Sequence, residues 1–595
     1  MFTPKAAGLV WKTSQKLTLI FGAATIVAGL MPAAAAYLGQ LIVDSVVAAQ
    51  TALQQQNSWQ QARDDALFWV AIEAVVIITL AFSERIISTC QSLLRALLGQ
   101  RVNEMILVKA QTLSLSQFED SEFYDKLTRA RREASTRPLA LLNKTFTLAR
   151  QGISLVSYAF ILLQFSVWAL LLLLIGALPV FFAEAKFSGD AFRLFRWRSP
   201  DTRKQIYLET LLAREDSAKE VKLFELGPML LSKYQAIFKT LFKEDRALTL
   251  KREFWGFILG CLGTLSFYGA YIWIVFATIN GDLTLGEMTM YLLVFKQGQS
   301  SVSASLSAIS GMFEDNLYLS NLYEFLEQPT QQETGTLTQG QSPNQGVAFN
   351  NVSFIYPGAN KPALNNISFT LKPGQKLAIV GENGSDKTTL IKLLTRLYTP
   401  SQGVITLDGT PLEDWQPAAL RARTSVIFQD FMRYQFTAGE NLGAGNVESF
   451  NDRQAWQQAA QKGLAENFIA QLKDGYDTQL GRWFKDGQEL SGGQWQKVAL
   501  SRLFIRPEAD LLILDEPTAA VDARAEAELF ELINQYSEDK MTILISHRFS
   551  TVRNADHILV LDAGEIIEQG NHQQLLTLNG IYAHLYRLQA SGFQD

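Results

Sequence analysis

Long apolar runs dominate the first half of this chain and become rare beyond about residue 310. A helix that crosses the hydrocarbon core of a bilayer needs roughly 20 mostly apolar residues. Six stretches meet this requirement: Leu17–Val43, Ala66–Ile87, Phe146–Leu163, Val167–Ala185, Phe254–Ile279 and Leu285–Ile309. The sixth is the most polar, and the third and fourth are nearly contiguous. The sequence therefore predicts a membrane domain of six helices in which the third and fourth form a tight hairpin.

The composition excludes several other classes of protein. With 53 basic and 58 acidic side chains among 595 residues, the net charge is −5, which argues against a nucleic-acid binder held by bulk charge. Hydrophobic residues make up 48% of the chain, which excludes a disordered protein. Two cysteines, Cys90 and Cys261, are too few for a disulfide framework or a multi-cysteine metal site.

Basic residues predict the orientation of the helices, because positively charged short loops tend to remain in the cytoplasm. Basic residues cluster before the first apolar run and between the second and third runs. The connections predicted to lie on the outer side of the membrane hold almost no basic residues. The clusters comprise Lys5, Lys12, Lys16, Arg95, Arg101, Lys109, Lys126, Arg129, Arg131 and Arg132. We therefore expect both termini in the cytoplasm. A cleaved signal peptide is disfavoured, because apolar sequence continues through Leu41–Val43.

Two charged stretches of some sixty residues separate the second helix from the third and the fourth from the fifth. Their helical periodicity predicts that the membrane helices extend into the cytoplasm, with turning points at 118–124 and 214–227. The segment 328–346 is polar and rich in Gly, Thr, Pro and Gln, which is typical of a linker. We therefore predict a transmembrane domain over 1–327, a linker over 328–346 and a soluble α/β domain over 347–595.

A glycine-rich loop in the second domain has the context of a phosphate-binding loop. The buried strand Lys376–Val380 runs directly into nine residues that lead into a helix. In that arrangement backbone amides face the phosphates, Lys387 reaches the β and γ groups, and the Thr388 hydroxyl can ligate Mg²⁺. The nine residues are Gly381, Glu382, Asn383, Gly384, Ser385, Asp386, Lys387, Thr388 and Thr389.

Asp386 departs from this motif, which has glycine before the lysine. Glycine permits unusual dihedral angles and a close approach of the backbone to phosphate. Asp386 instead adds a Cβ atom and a carboxylate beside the negative charge of the nucleotide. We therefore expect weakened ATP binding from an isolated substitution.

Three later motifs extend the pattern. The apolar strand Asp510–Leu514 ends in Asp515 and Glu516, which suit a Mg²⁺ partner and a base that polarises water. It is preceded by the sequence LSGGQ at 490–494, and a further apolar strand ends at His547. With these motifs the chain resembles an ATP-binding cassette (ABC) transporter, specifically a half-size exporter with fused membrane and nucleotide-binding domains.

The resemblance implies a fold and a set of roles. The fold is an α-helical transmembrane domain of six helices with long cytoplasmic extensions, followed by an α/β P-loop ATPase domain. The turning points would be coupling helices. In the nucleotide site, Tyr356 would stack on adenine, and Gln429 would contact Mg²⁺ and the membrane domain. Ser491 and Gly493 of the LSGGQ signature would contact the γ-phosphate held by the opposite protomer. Glu516 would be the catalytic base, Asp522 the acidic residue of the following loop, and His547 the switch histidine, which contacts the γ-phosphate.

It also implies cofactors and partners. One chain has one phosphate loop and one LSGGQ signature, and each ATP would lie between the loop of one protomer and the signature of the other. Function therefore requires a second half-transporter, most simply a second copy. The expected cofactors are ATP and Mg²⁺, and the expected location is a bacterial inner membrane. An importer and a degenerate or regulatory subunit of a heterodimer stay open as alternatives. The resemblance leaves the cargo unidentified, with lipids, peptides, drug-like and other amphipathic molecules as the expected classes. We hypothesise that Lys296 lies on the wall of the translocation cavity, and we assign no role to Glu73.

Overall fold

The computed structural model describes residues 3–56, 58–120, 123, 137–330, 334–382, 384–517 and 523–591. These residues form two compact units. The helical unit comprises Met1–Thr112 and Ser121–Pro329, and the α/β unit comprises Leu113–Asp120 and Thr330–Asp595. The short segment Leu113–Asp120 therefore belongs to the α/β unit although the helical unit surrounds it in the sequence.

Long helices make up the helical unit. In chain order the described helices up to residue 330 are α1 (Thr3–Thr13), α2 (Gln15–Gln54), α3 (Gln60–Gln111), α4 (Leu115–Glu119, in the α/β unit), α5 (Arg137–Phe165), α6 (Val167–Trp197), α7 (Ser199–Ala213), α8 (Glu215–Leu223), α9 (Gly227–Ile279) and α10 (Leu285–Leu326). Each of the six predicted membrane segments lies inside one long helix: α2, α3, α5, α6, α9 or α10. Only Ser166 separates α5 from α6, so the short connection expected between the third and fourth segments is confirmed, while the hairpin remains a prediction.

Four of these helices are long and apolar enough to cross a membrane, by length and composition over the described residues: α2, α3, Pro138–Phe165 within α5, and α9. The count of six spans remains a prediction. The polar helix α10 packs through an apolar stripe that includes Tyr291, Val294 and Phe295. Its Gln297 side chain accepts a 2.6 Å hydrogen bond from the Tyr158 hydroxyl of α5, which satisfies two polar groups among apolar neighbours.

Two sheets form the centre of the α/β unit. The strands are β1 (Val347–Phe354), β2 (Leu364–Leu371), β3 (Lys376–Gly381), β4 (Gln402–Leu407), β5 (Thr410–Pro411), β6 (Thr424–Ile427), β7 (Leu511–Asp515), β8 (Met541–Ile545), β9 (His557–Asp562) and β10 (Glu565–Gly570). An antiparallel sheet has the order β2-β1-β4-β5, and the second sheet has the order β10-β9-β3-β8-β7-β6. In the second sheet β9, β3, β8, β7 and β6 run parallel to one another.

The parallel strands explain the apolar runs of the sequence. Strands β7 and β8 are buried at every position, as expected for central strands covered on both faces. Helices surround the sheets: α11 (Lys387–Leu394), α12 (Pro417–Arg423), α13 (Ala438–Gly443), α14 (Arg453–Lys462), α15 (Glu466–Ile469), α16 (Gly492–Phe504), α17 (Ala523–Tyr536), α18 (Phe549–Val552), α19 (His572–Leu578) and α20 (Ile581–Ser591). Because β8 lies between β3 and β7, the carboxyl ends of these three strands meet at one edge, where open α/β sheets bind ligands.

The predicted turning points and linker have defined local structure where they are described. At the first turning point α4 ends at Glu119, while residues 121, 122 and 124 lie outside the described residues. The second contains α8 and the turn that leads into α9. Within 328–346, the Gln341 amide donates to Thr410 Oγ1 and the Gly346 amide donates to Asp408 Oδ1, so this end of the segment is fixed to the α/β unit.

Candidate functional site

The phosphate loop connects β3 to α11 and closes around the side chain of Lys387. The Lys387 ammonium donates to the carbonyl oxygens of Gly381 at 3.0 Å and Glu382 at 2.8 Å, and it lies 3.4 Å from Ser385 Oγ. Burial lowers the pKa of Lys387, against the opposing effect of neighbouring carboxylates. The loop thus holds a buried cation at the start of a helix, where backbone amides favour anions. Asn383 of the predicted set lies outside the described residues.

Asp386 has left-handed backbone angles, with φ 62° and ψ 28°. This confirms that position 386 requires a conformation that glycine adopts without strain. The carboxylate turns back toward its own helix, where Asp386 Oδ1 accepts from the Thr389 hydroxyl at 3.2 Å. The Asp386 carboxylate therefore contacts Thr389 at the start of α11 and belongs to the lining of the pocket beside the phosphate loop.

An oxygen-rich pair lies beside the loop. The Thr388 hydroxyl donates to Asp515 Oδ2 at 2.9 Å, and Asp515 is 2% exposed at the end of β7. Burial raises the pKa of Asp515 to about 6, and the Thr388 hydrogen bond and Lys387 oppose that shift while Glu516 and Asp430 add to it. Hydroxyl and carboxylate oxygens are ligands that Mg²⁺ prefers.

Glu516 lies between two side chains from neighbouring strands. Gln429 Nε2 donates to Glu516 Oε2 at 2.7 Å, and His547 Nε2 lies 2.8 Å from Glu516 Oε1. The three residues follow β6, β7 and β8, which are adjacent in the parallel sheet. A carboxylate fixed from both sides beside a phosphate-binding loop can orient and polarise a water molecule.

Tyr356 reaches the same region from the turn after β1. Its hydroxyl lies 2.9 Å from Thr389 Oγ1, and its ring stands edge-to-face against Phe354 and Tyr398. A ring held in this way offers an aromatic surface next to the phosphate loop, as stacking on a base requires.

One pocket gathers most of the residues predicted from the sequence. Its lining consists of Tyr356, Gly384, Asp386, Lys387, Thr388, Thr389, Lys392, Gln429, Asp515, Glu516 and His547. The sequence reasoning missed Lys392. Its spacing of four residues from Thr388 along α11 places both on one helix face, and this signal could have indicated it.

The signature residues occupy a different place. Ser491 caps α16, its hydroxyl accepting from the Gln494 amide, and Gly493 lies in the first turn of that helix. Neither residue lines the pocket described above. Asp522 lies outside the described residues.

Comparison with known proteins gives consistent matches. The family model described as "ABC transporter" matches residues 364–519. The subtilin transport ATP-binding protein SpaT of Bacillus subtilis is 31% identical over 97% of this chain and 92% of its own length. The nisin transport ATP-binding protein NisT of Lactococcus lactis is 30% identical over 82% of each chain.

Two further matches span nearly the whole chain. The ATP-dependent lipid A-core flippase of Photorhabdus laumondii is 26% identical over 97% of this chain and 98% of its own. The structure of a bacterial Atm1-family ABC exporter with ATP bound superposes with a TM-score of 0.83 at 22% identity, covering 98% of this chain and all of the other. The latter similarity establishes the fold of both units.

Proposed function

This chain belongs to the ABC transporter family as an exporter, and from that premise we propose that it works as a homodimer that moves an amphipathic peptide or lipid out of the cell. Family membership makes it an integral inner-membrane protein with an ATPase coupled to transport. The homodimer, the cargo, the cytoplasmic position of both termini and the roles of individual residues are our proposals.

The contact of Glu516 with both Gln429 and His547 carries the proposal. We assign Glu516 as the base that polarises the attacking water, His547 as the residue that holds Glu516 and the γ-phosphate, and Lys387 as the cation that neutralises the phosphates. Tyr356 is assigned to adenine, because its ring lies at the pocket wall beside the phosphate loop. These intact contacts favour an active ATPase over a degenerate subunit.

The donor set fits Mg²⁺. Thr388 and Asp515 already share a hydrogen bond, and the amide oxygen of Gln429 belongs to the same pocket. We propose that these three residues hold the ion, which when bound neutralises charge that develops on the phosphates. The Asp515 carboxylate then gains a partner that offsets its burial.

The position of the signature supports a dimer. Ser491 and Gly493 lie outside the pocket of their own chain, as expected if they complete the site of a second copy. Asp522 lies in the loop that follows Glu516 in the sequence, and by its resemblance to the family we propose that it belongs to the same interface. Two copies would then form two composite ATP sites.

An exposed polar face on α10 supports an amphipathic cargo. Lys296, Ser300, Ser303 and Ser307 are all exposed, and their spacing of four, three and four residues places them on one side of the helix. A charged face in contact with lipid would be costly, so we propose that it lines a water-filled cavity. The relatives named for subtilin and nisin transport favour a peptide, and the lipid A-core flippases favour a lipid as the second candidate.

Reconstitution tests this proposal. The purified chain in liposomes is expected to show ATPase activity stimulated by cargo and ATP-dependent uptake into inside-out vesicles, and Glu516→Gln is expected to abolish both. An amphipathic cationic peptide and a labelled lipid serve as the two cargo probes. A chain that hydrolyses ATP only after a different half-transporter is added would overturn the homodimer and support the heterodimer subunit.

A further inference from the structure

The short helix α4 brings a carboxylate to the side of the nucleotide pocket. Leu115 packs against the main apolar core of the α/β unit, and Ser114 caps the helix together with Gln117. At the other end, Glu119 Oε2 accepts from the Tyr398 hydroxyl at 2.5 Å and Glu119 Oε1 accepts from Lys392 Nζ at 3.1 Å. One carboxylate therefore fixes two side chains at once.

Both partners of Glu119 contact the ring of Tyr356. The Lys392 ammonium lies 5.4 Å from the centroid of that ring, within the range of a cation–π interaction. The Tyr398 ring stands edge-to-face against it, with centroids 5.3 Å apart and planes at 82°. Of the contacts that orient the Tyr356 ring, two therefore come from neighbours that Glu119 holds, beside the Phe354 ring and the Thr389 hydroxyl.

The contacts continue into the phosphate loop. The Tyr356 hydroxyl lies 2.9 Å from Thr389 Oγ1, and Thr389 donates to Asp386 at 3.2 Å. An unbroken series of polar and aromatic contacts therefore runs from α4 through Tyr356 to the start of α11.

Charge makes these contacts persistent. Partial burial opposes ionisation of Glu119, but hydrogen bonds from Tyr398 and Lys392 outweigh it and lower the pKa of the carboxyl. Burial opposes the cation at Lys392, whereas Glu119 and Tyr356 raise the pKa of its ammonium above the ordinary value. Both groups stay ionised at neutral pH, and charge-assisted hydrogen bonds are the stronger kind.

We propose that Glu119 is a positioning residue for the base of the nucleotide. Through Lys392 and Tyr398 it holds the Tyr356 ring in the orientation that stacks on adenine, so α4 and the base site are energetically coupled. The inference rests on the proposed assignment of Tyr356 to adenine. Since coupling is reciprocal, a bound base would also strengthen the attachment of α4 to the α/β unit.

A ligand that has phosphates but no adenine base distinguishes a role in positioning the base from a general effect on the folding of the site. We would measure the binding of ATP and of inorganic tripolyphosphate, both with Mg²⁺, to the full-length protein in detergent with hydrolysis disabled by Glu516→Gln. Glu119→Gln is expected to weaken ATP about fivefold, at the low end of typical coupling between sites, and to leave tripolyphosphate unchanged. Tyr398→Phe, which removes only one hydroxyl, is expected to act in the same direction. Glu448→Gln removes an exposed carboxylate away from the pocket and is the matched control.

A double-mutant cycle completes the test. With Tyr356→Ala, which removes the ring, Glu119→Gln is expected to have no further effect on ATP affinity. Equal loss of affinity for both ligands, or full ATP preference retained in Glu119→Gln and Tyr398→Phe, would overturn the role of Glu119 while leaving the stacking assignment intact. If the parent protein binds ATP no more tightly than tripolyphosphate, the assignment of Tyr356 to adenine itself is wrong.

Discussion

Replacing Asp386 with glycine is expected to increase ATP affinity. The residue has φ 62°, and a non-glycine residue in this left-handed region is strained by roughly 1 kcal/mol, somewhat less for Asp because its short polar side chain tolerates it. Glycine relieves that strain but loses the 3.2 Å hydrogen bond with Thr389, worth roughly 1 kcal/mol. We therefore expect little change in the stability of the unliganded protein.

The effect on binding comes from charge. Two unit charges ~6 Å apart interact by about 3 kcal/mol at an effective dielectric constant of ~20. Asp386 is half-buried and turns toward Thr389, and Lys387 offsets part of its field, so the unfavourable energy toward a nucleotide is smaller. Taking about 1.4 kcal/mol, Asp386→Gly should tighten ATP binding about tenfold.

Equilibrium titration of ATP into the full-length protein, with Glu516→Gln present to prevent turnover, measures this change. Asp386→Asn is the matched control, because asparagine tolerates the left-handed region and can still accept from Thr389 but lacks the charge. If repulsion is the cause, Asp386→Asn should reproduce most of the gain. A gain in Asp386→Gly alone would assign the effect to the backbone, and equal affinities in all three proteins would refute the reasoning.

Three further changes test other parts of the site. Glu516→Gln is expected to reduce ATP turnover by at least about 100-fold and to leave ATP binding intact, whereas the loss of both would contradict its assignment as the base. The Asp515 carboxyl has a pKa of about 6 in the folded protein, above its ordinary value of 3.8. Its ionised form therefore lowers the stability of the folded state once the pH rises above 3.8, and the effect is complete above about 6. Asp515→Asn removes this ionisation. Without nucleotide and Mg²⁺, this variant should be more stable by up to about 3 kcal/mol near pH 7.5 and by about half of that near pH 5, and a thermal melt that shows no gain would contradict the burial argument. Lys296→Ala is expected to change cargo preference in the vesicle assay without altering basal ATPase activity, and Ser303→Ala on the same helix face is the milder companion; unchanged cargo preference in Lys296→Ala would place Lys296 away from the cargo.

The phosphate-loop, Asp515–Glu516 and His547 motifs predicted much of the site because each follows a buried strand. The strands before Lys387, Glu516 and His547 are apolar runs, and their parallel pairing brings the three following loops to one edge. Glycine-specific geometry at position 386 was likewise readable, since the motif requires it and the observed φ is positive. Local sequence thus determines which residues end at the carboxyl edge of the sheet.

The role of α4 could not be predicted from the sequence, because its contacts are distant along the chain. Glu119 lies 273 residues before Lys392, and a carboxylate followed by Asp120 on a charged stretch has the pattern of a solvated surface. Only the fold places Leu115 on the apolar core and so brings Glu119 to Lys392 and Tyr398.

Asp386, which replaces the glycine of the motif, and Glu119, which the sequence did not indicate, are both connected to Tyr356 through one intermediate layer of residues. Its hydroxyl and the Asp386 carboxylate both contact the Thr389 hydroxyl, while its ring contacts the two residues that Glu119 holds. A hydroxyl donates only one proton, so Thr389 donates to Asp386 only while the Tyr356 hydroxyl donates to Thr389. The Asp386 carboxylate therefore fixes the direction of the hydrogen bond between Tyr356 and Thr389, in which the Tyr356 hydroxyl donates. In Asp386→Gly that constraint disappears, and part of any change in ATP affinity should then depend on Tyr356, a contribution that combining Asp386→Gly with Tyr356→Phe would isolate.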